Sequence, residues 1–146
     1  MSTIERAPLQ VFTTIPVERL SKAADIFREL ELAGYDGAFS FETKHDPFLP
    51  LAVAAESTER MRLGTALAIA FARNPMNLAN LGWDLAESSG GRFVMGLGPQ
   101  IAPHVRNRYS MPWSHPAARM REMVLAIHAI WDAWEHGAEL EFDGEF

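Results

Sequence analysis

At 146 residues, with 48% hydrophobic and 22% charged positions, the chain has the size of one domain and is too apolar for a charge-rich disordered protein. Its formal net charge of −6 is scattered rather than gathered in a tail, and no basic patch offers a nucleic-acid interface. Cysteine is absent, which excludes disulfides, thiolate metal sites and a cysteine nucleophile, and no apolar run approaches the ~18 residues of a membrane span, so a cytoplasmic protein without nucleic-acid or membrane partners is expected.

Residues Met1–Pro8 lack the apolar stretch of a secretory leader. Leu9–Thr14 reads as a first strand, and Pro16 opens a helix whose Val17, Leu20, Ala24, Phe27 and Leu30 follow helical spacing until Gly34 stops it. Asp36–Phe41 is a second strand; a polar turn over Glu42–Asp46 then leads into a short helix from Pro47 to Ser57, with Pro50 in its tolerant first turn. Leu63–Ala72 is apolar on both alternating faces, as a parallel strand covered on both sides would be. Asn74 caps the next helix, Pro75 occupies its first position and Gly90-Gly91 ends it. Arg92–Gly98 is a fourth strand, followed by a polar loop over Pro99–Ser114. A helix opened near Pro116 then carries Met120, Val124, Ile127, Trp131 and Trp134 on one stripe. Glu139–Phe146 reads as a strand entering an Asp143-Gly144 turn. Four consecutive β-α units predict an α/β fold of parallel repeats, open or closed into a barrel, with its chemistry at the strand ends.

Gly96-Leu97-Gly98 follows a strand, as a dinucleotide fingerprint does. Its third glycine would fall at Ile101, however, and Pro99 stands where a helix should begin donating N–H groups, so that reading is disfavoured. A tight strand exit with close packing accounts for the two glycines equally well.

Four motifs, taken in order, carry a family resemblance: Gly34–Glu42 (GYDGAFSFE), Met61–Leu67 (MRLGTAL), Arg73-Asn74-Pro75 and Ser88–Gly98 (SSGGRFVMGLG). Together they resemble the luciferase-like monooxygenase superfamily. The segments Pro99-Gln100 and Ser110–Pro116 are similar to its subgroup that uses the deazaflavin coenzyme F420. The resemblance implies a (β/α)8 TIM barrel of which this chain is the N-terminal half, residues 1–146 forming a single partial barrel domain of about four β-α units. It implies an oxidoreductase transferring a hydride between F420 and an organic small-molecule substrate. An FMN-dependent monooxygenase on the same fold and a non-catalytic half-barrel or assembly module are the alternatives. Half a barrel leaves its interior side facing water and its edges unpaired, so a homo-oligomer or a chain completing the barrel is the expected partner.

The same resemblance places cofactor-binding residues at Thr65, Ala66, Leu67, Gly96, Gly98 and Gln100, with a non-proline cis peptide at Ala66-Leu67 against the ring. Glycines at positions 96 and 98 would let backbone approach that ring. Glu42 and His45 are the expected catalytic pair, Glu42 orienting or stabilising and His45 touching cofactor or substrate. Related enzymes commonly hold their histidine at the place of Thr43, two residues earlier. Some also carry a carboxylate after the fourth strand where this chain has Pro99 and Gln100, which argues against sugar-phosphate oxidation by that acid. His104, Arg106 and Arg108 are candidates for an anionic cofactor tail, and no residues have convincing metal-ligand spacing.

Overall fold

The computed structural model describes residues 9–146, so the leader reading on Met1–Pro8 lies outside the described residues. In chain order, β1 (Phe12–Ile15) leads through a short 3-10 turn (Leu20–Lys22) into α1 (Ala23–Leu32), and β2 (Gly37–Ser40) leads into α2 (Leu49–Ser57). β3 (Arg62–Thr65) is followed by the two-residue β4 (Ala68–Ile69), a second 3-10 turn (Ala70–Ala72) and α3 (Pro75–Ser88). β5 (Phe93–Val94) and β6 (Leu97–Gly98) precede α4 (Ala102–Tyr109) and α5 (Pro116–His136).

All strand pairs are parallel. β1, β2, β3 and β5 pair in that order, while β4 and β6 form a separate two-stranded extension with Ala68 opposite Leu97 and Ile69 opposite Gly98. The row Thr13, Ala38, Leu63 and Phe93 turns toward the helices; Ala38 and Leu63 are fully buried there with Phe27, Leu51 and Leu78. The opposite face is open. Phe12 and Val94 lie on it 38% and 47% exposed, and the Phe12 ring stacks on Phe39 with centroids 5.6 Å apart. Gly64 makes room for that stack, since a Cβ there would lie 2.6 Å from the Phe39 ring and from the Val94 carbonyl oxygen. Successive parallel strands with helices on one side only make a half-barrel, as predicted.

Several element boundaries differ from expectation. The run Leu63–Ala72 is not one strand: the chain turns at Ala66-Leu67, and the residues beyond that turn pair with β6 instead of continuing β3. Pro99–Ser114 holds an unpredicted helix, α4, whose one buried apolar residue, Val105, gives too little periodicity to be read from sequence. On α5 the buried stripe is Met123, Ala126, Ile127, Ile130 and Ala133, while Val124 and Trp134 are 38% and 39% exposed. Trp131 packs on α3 beside Gly82, its indole N–H donating to the Ala79 carbonyl at 2.9 Å. The tail after His136 forms no strand; the Glu122 carboxylate accepts from the backbone N–H groups of Glu145 and Phe146, both at 2.8 Å.

The end of the sheet away from the candidate site is locked by two side chains. The Arg92 guanidinium donates to the carbonyls of Ser89, Met61, Ala55 and Thr58 and to the Thr58 hydroxyl, at 2.7 to 3.0 Å. The Glu31 carboxylate accepts from the backbone N–H groups of Glu59, Arg60 and Met61, the last at 2.7 Å. Burial of Glu31 raises its pKa, but these three donors and the Arg60 charge outweigh that and leave it below the ordinary value. A carboxylate with a depressed folded-state pKa stabilises above its unfolded pKa, and that contribution is lost as pH falls through the folded value. Glu31→Gln is therefore expected to lower stability by about 1 kcal/mol at pH 7 in urea unfolding, the group being partly solvated. The gap to the parent protein should close as pH falls below ~4, the ordinary carboxylate range.

Candidate active site

Parallel strands send every β-α connection to the same end of the sheet, so the segments after β1, β2, β3 and β6 converge there. Pro16–Arg19, following β1, faces Phe41–Asp46, following β2, across a cleft of about 440 Å³. A second cleft of about 310 Å³ shares Val17, Glu18, His45 and Asp46 with it. The His45 ring is exposed and borders both. Lys44 and Arg19 line the larger one.

Glu42 is different in kind. Its side chain is only 3% exposed, and both oxygens are taken. Oε2 accepts from the Ile69 backbone N–H and from Arg73 Nη1, each at 2.7 Å, and Oε1 accepts from the Tyr109 hydroxyl at 2.6 Å. Arg73 continues the network: Nη2 donates to Asp46 Oδ2 at 2.8 Å, Nη1 also donates to the Ile69 carbonyl at 3.0 Å, and the guanidinium lies over the Phe48 ring. Burial opposes the Arg73 charge, but the hydrogen bonds and charges of Glu42 and Asp46 more than offset it and raise its pKa. Asp46 has a second task, its Oδ1 accepting from the Phe48 N–H at 2.8 Å at the start of α2. Burial, followed by the hydrogen bond to and the charge of Glu42, pushes the Tyr109 phenol up to about 12.

The Ala66-Leu67 peptide is cis, as the resemblance implied. Backbone bonds pin this corner on both sides: Ala66 N–H donates to the Ser40 carbonyl at 2.8 Å, Glu42 N–H to the Leu67 carbonyl at 3.1 Å and Ala68 N–H to the Gly96 carbonyl at 2.9 Å. Ala66 is exposed, and Leu67, 40% exposed, lays its side chain over Gly98, where a Cβ would come within 2.7 Å of it. Thr65 is buried, its hydroxyl donating to the Gly96 carbonyl at 2.7 Å and accepting from the Gly96 N–H at 2.9 Å. A Cβ on Gly96 would collide with the Thr65 carbonyl oxygen. Packing against β3 and Leu67 thus accounts for both glycines. Gln100 has a left-handed backbone (φ 56°); its side-chain oxygen accepts from the Ile101 N–H at 3.0 Å, and its carbonyl accepts from the Trp113 indole at 2.9 Å.

The structure thus gathers Ala66 and Leu67 into an exposed shelf, with Thr65, Gly96 and Gly98 as the packing beneath it. His45 and Glu42 leave the same loop in different surroundings, one solvated and one enclosed. Arg73, Asp46 and Tyr109 were not among the expected site residues. Arg73 stands in a quoted motif, and nothing in the spacing of Tyr109, 67 positions from Glu42, connects the two. Among the described residues no cluster of histidines and carboxylates is arranged to hold a metal. Arg106 donates to the Trp113 carbonyl, which ties that cation to its own loop. Thr65→Val is expected to cost about 1 kcal/mol in chemical denaturation, because it removes the hydroxyl that pairs with the part-buried Gly96 N–H while the Gly96 carbonyl keeps its bond from Ala68, and Thr65→Ser less than half of that.

Comparison with known proteins agrees with this geometry. The chain is 56% identical over 138 residues to an uncharacterized Mycobacterium tuberculosis protein, covering 94% of this chain and 40% of that one. It is 35% identical over 109 residues to a candidate coenzyme F420-dependent oxidoreductase of the same organism, covering 74% of this chain and 31% of the relative. The fold superposes on the coenzyme F420-dependent tetrahydromethanopterin reductase of Methanopyrus kandleri (TM-score 0.78, 21% identity, 94% of this chain and 43% of that one). It also superposes on the oxygenating constituent of 3,6-diketocamphane monooxygenase from Pseudomonas putida, solved with FMN (TM-score 0.79, 15% identity, 94% and 42%). The chain spans about 40% or less of the length of these curated relatives. The family description of the luciferase-like monooxygenases matches residues 5–146, and the chain belongs to that family.

Proposed function

We propose that this chain forms the cofactor-ring wall of an oxidoreductase that passes a hydride between coenzyme F420 and an organic small molecule. The observation that carries the reading is the shelf at Ala66-Leu67, an exposed, apolar, backbone-pinned surface at the strand ends. A flat ring fits such a surface: the residues behind it are small, and the Leu67 side chain, resting on Gly98, offers an apolar contact. The 35% identity to a candidate F420-dependent protein favours the deazaflavin. The likeness of fold to an FMN-bound monooxygenase keeps flavin as the second reading.

When bound, a deazaflavin carries two electrons as hydride. The chain's own residues then hold and shield it. Ala66 and Leu67 would support one face, Gln100 would border it after β6, and Thr65, Gly96 and Gly98 would act through the packing that fixes the shelf. Glu42 orients the surrounding segments, as its occupied oxygens favour, and His45, exposed beside the clefts, would meet cofactor or substrate. The absence of cysteine fits work in the cytoplasm.

In this reading residues 1–146 are one partial barrel domain, and the open face bearing Phe12, Phe39 and Val94 is covered by further polypeptide, either a chain completing the barrel or a second copy. Light scattering of the isolated 146-residue chain is expected to report an assembly, or dye fluorescence an exposed apolar face. A monomer that leaves the dye dark would remove this part.

Titration of the purified chain with F420 and with FMN, followed by fluorescence, is expected to show micromolar binding of F420, weakened about tenfold or more by Leu67→Lys. Preference for FMN would move the assignment to a monooxygenase, and a folded chain that binds neither would make it a non-catalytic module.

A further inference from the structure

Building on the ring-wall reading, we propose that Tyr109 and Arg73 are positioning residues that couple the docking of α4 to the geometry of the Ala66-Leu67 shelf through the single buried carboxylate of Glu42. Glu42 grips the shelf segment at two points: its backbone N–H donates to the Leu67 carbonyl at 3.1 Å, and its Oε2 accepts from the Ile69 N–H at 2.7 Å. The other oxygen is committed to α4 through the Tyr109 hydroxyl at 2.6 Å. A carboxylate is planar and rigid, so a pull on one oxygen reorients the other. Arg73 holds the plane in place from a third direction, tied in turn to Asp46.

The tether matters because α4 has little else. It is eight residues long, Val105 is its one buried residue, and no side chain caps its N-terminus. It packs against the 3-10 turn that follows β4, so it stands directly beyond the segment that Glu42 secures. Released from Tyr109, Glu42 Oε1 would be buried with no donor. Water would have to enter or the carboxylate would have to swing outward, and either loosens its hold on Ile69. With its pKa pushed up to about 12, the phenol remains a donor throughout the ordinary pH range. Glu42 therefore acts as a junction: a ligand resting on the shelf favours docked α4, and docked α4 favours the shelf that the ligand needs.

The test perturbs one side of the carboxylate and reads the other, by residue-resolved amide exchange on the whole chain without ligand. In Tyr109→Phe, exchange at the Ile69 amide is expected to rise about tenfold along with that of α4, while amides in the centre of β2 and β3 stay as they were. In Arg73→Lys, which keeps the positive charge but loses the planar fork, α4 exchange is expected to rise as well. Faster exchange confined to α4 in the first variant, or to the Ile69 segment in the second, would overturn the coupling. Should Tyr109→Phe fail to fold by circular dichroism, the Arg73→Lys readout decides alone. F420 binding by Tyr109→Phe is expected to weaken about tenfold. If the parent protein binds neither F420 nor FMN, the ring-wall reading fails while the exchange results still decide the coupling.

Discussion

The Glu42 carboxylate, enclosed and met by a donor at each oxygen, ties together three parts of the chain: the loop after β2, the stretch from β4 to Arg73, and the end of α4. A buried ion pair of this kind is a poor source of net stability, since removing two charges from water costs about as much as their attraction returns. Its effect is geometric. Breaking one member leaves an uncompensated buried group, so the arrangement tolerates few alternatives. That is what a flat ligand resting on backbone requires of the surface beneath it.

The two ends of the sheet are held by different means. Away from the site, Arg92 and Glu31 satisfy carbonyl and N–H groups of the loops entering β3 and β5, with donors and acceptors that are mostly main chain. Such bonds fix where strands begin and carry no chemistry. At the site end the bonds run between side chains of separate loops, and the same loops line the clefts beside His45. Strand-end sites on parallel sheets commonly divide this way, stability below and function above.

Much of this is legible in the sequence because the determinants are local. Asn74-Pro75 opens α3, with the Asn74 side chain accepting from the Asn77 N–H at 2.8 Å, and Gly90 and Gly91 after that helix both adopt positive φ. The parallel repeat shows in the order of apolar runs and helix signals. The break between β3 and β4 is hidden because Ala66-Leu67 is as apolar as the strand around it; composition carries no mark of a change in pairing partner. The α5 stripe differs from the one expected because large residues dominate the hydrophobic pattern, whereas the buried face also takes in Ala126 and Ala133, which that pattern passes over. The Glu42–Tyr109 bond joins residues 67 positions apart, and nothing in either local pattern announces it. Polar networks of this sort are properties of the folded chain.

Glu42 and His45 sit three residues apart on one loop, yet the fold gives them opposite circumstances. The Glu42 carboxylate is committed to donors on Ile69, Arg73 and Tyr109, which fixes it as a junction between those segments. His45, at the mouth of the clefts, is open to solvent instead. In the sequence the two residues stand together as a catalytic pair. The geometry separates them into one residue that fastens neighbouring segments and another that borders the open clefts.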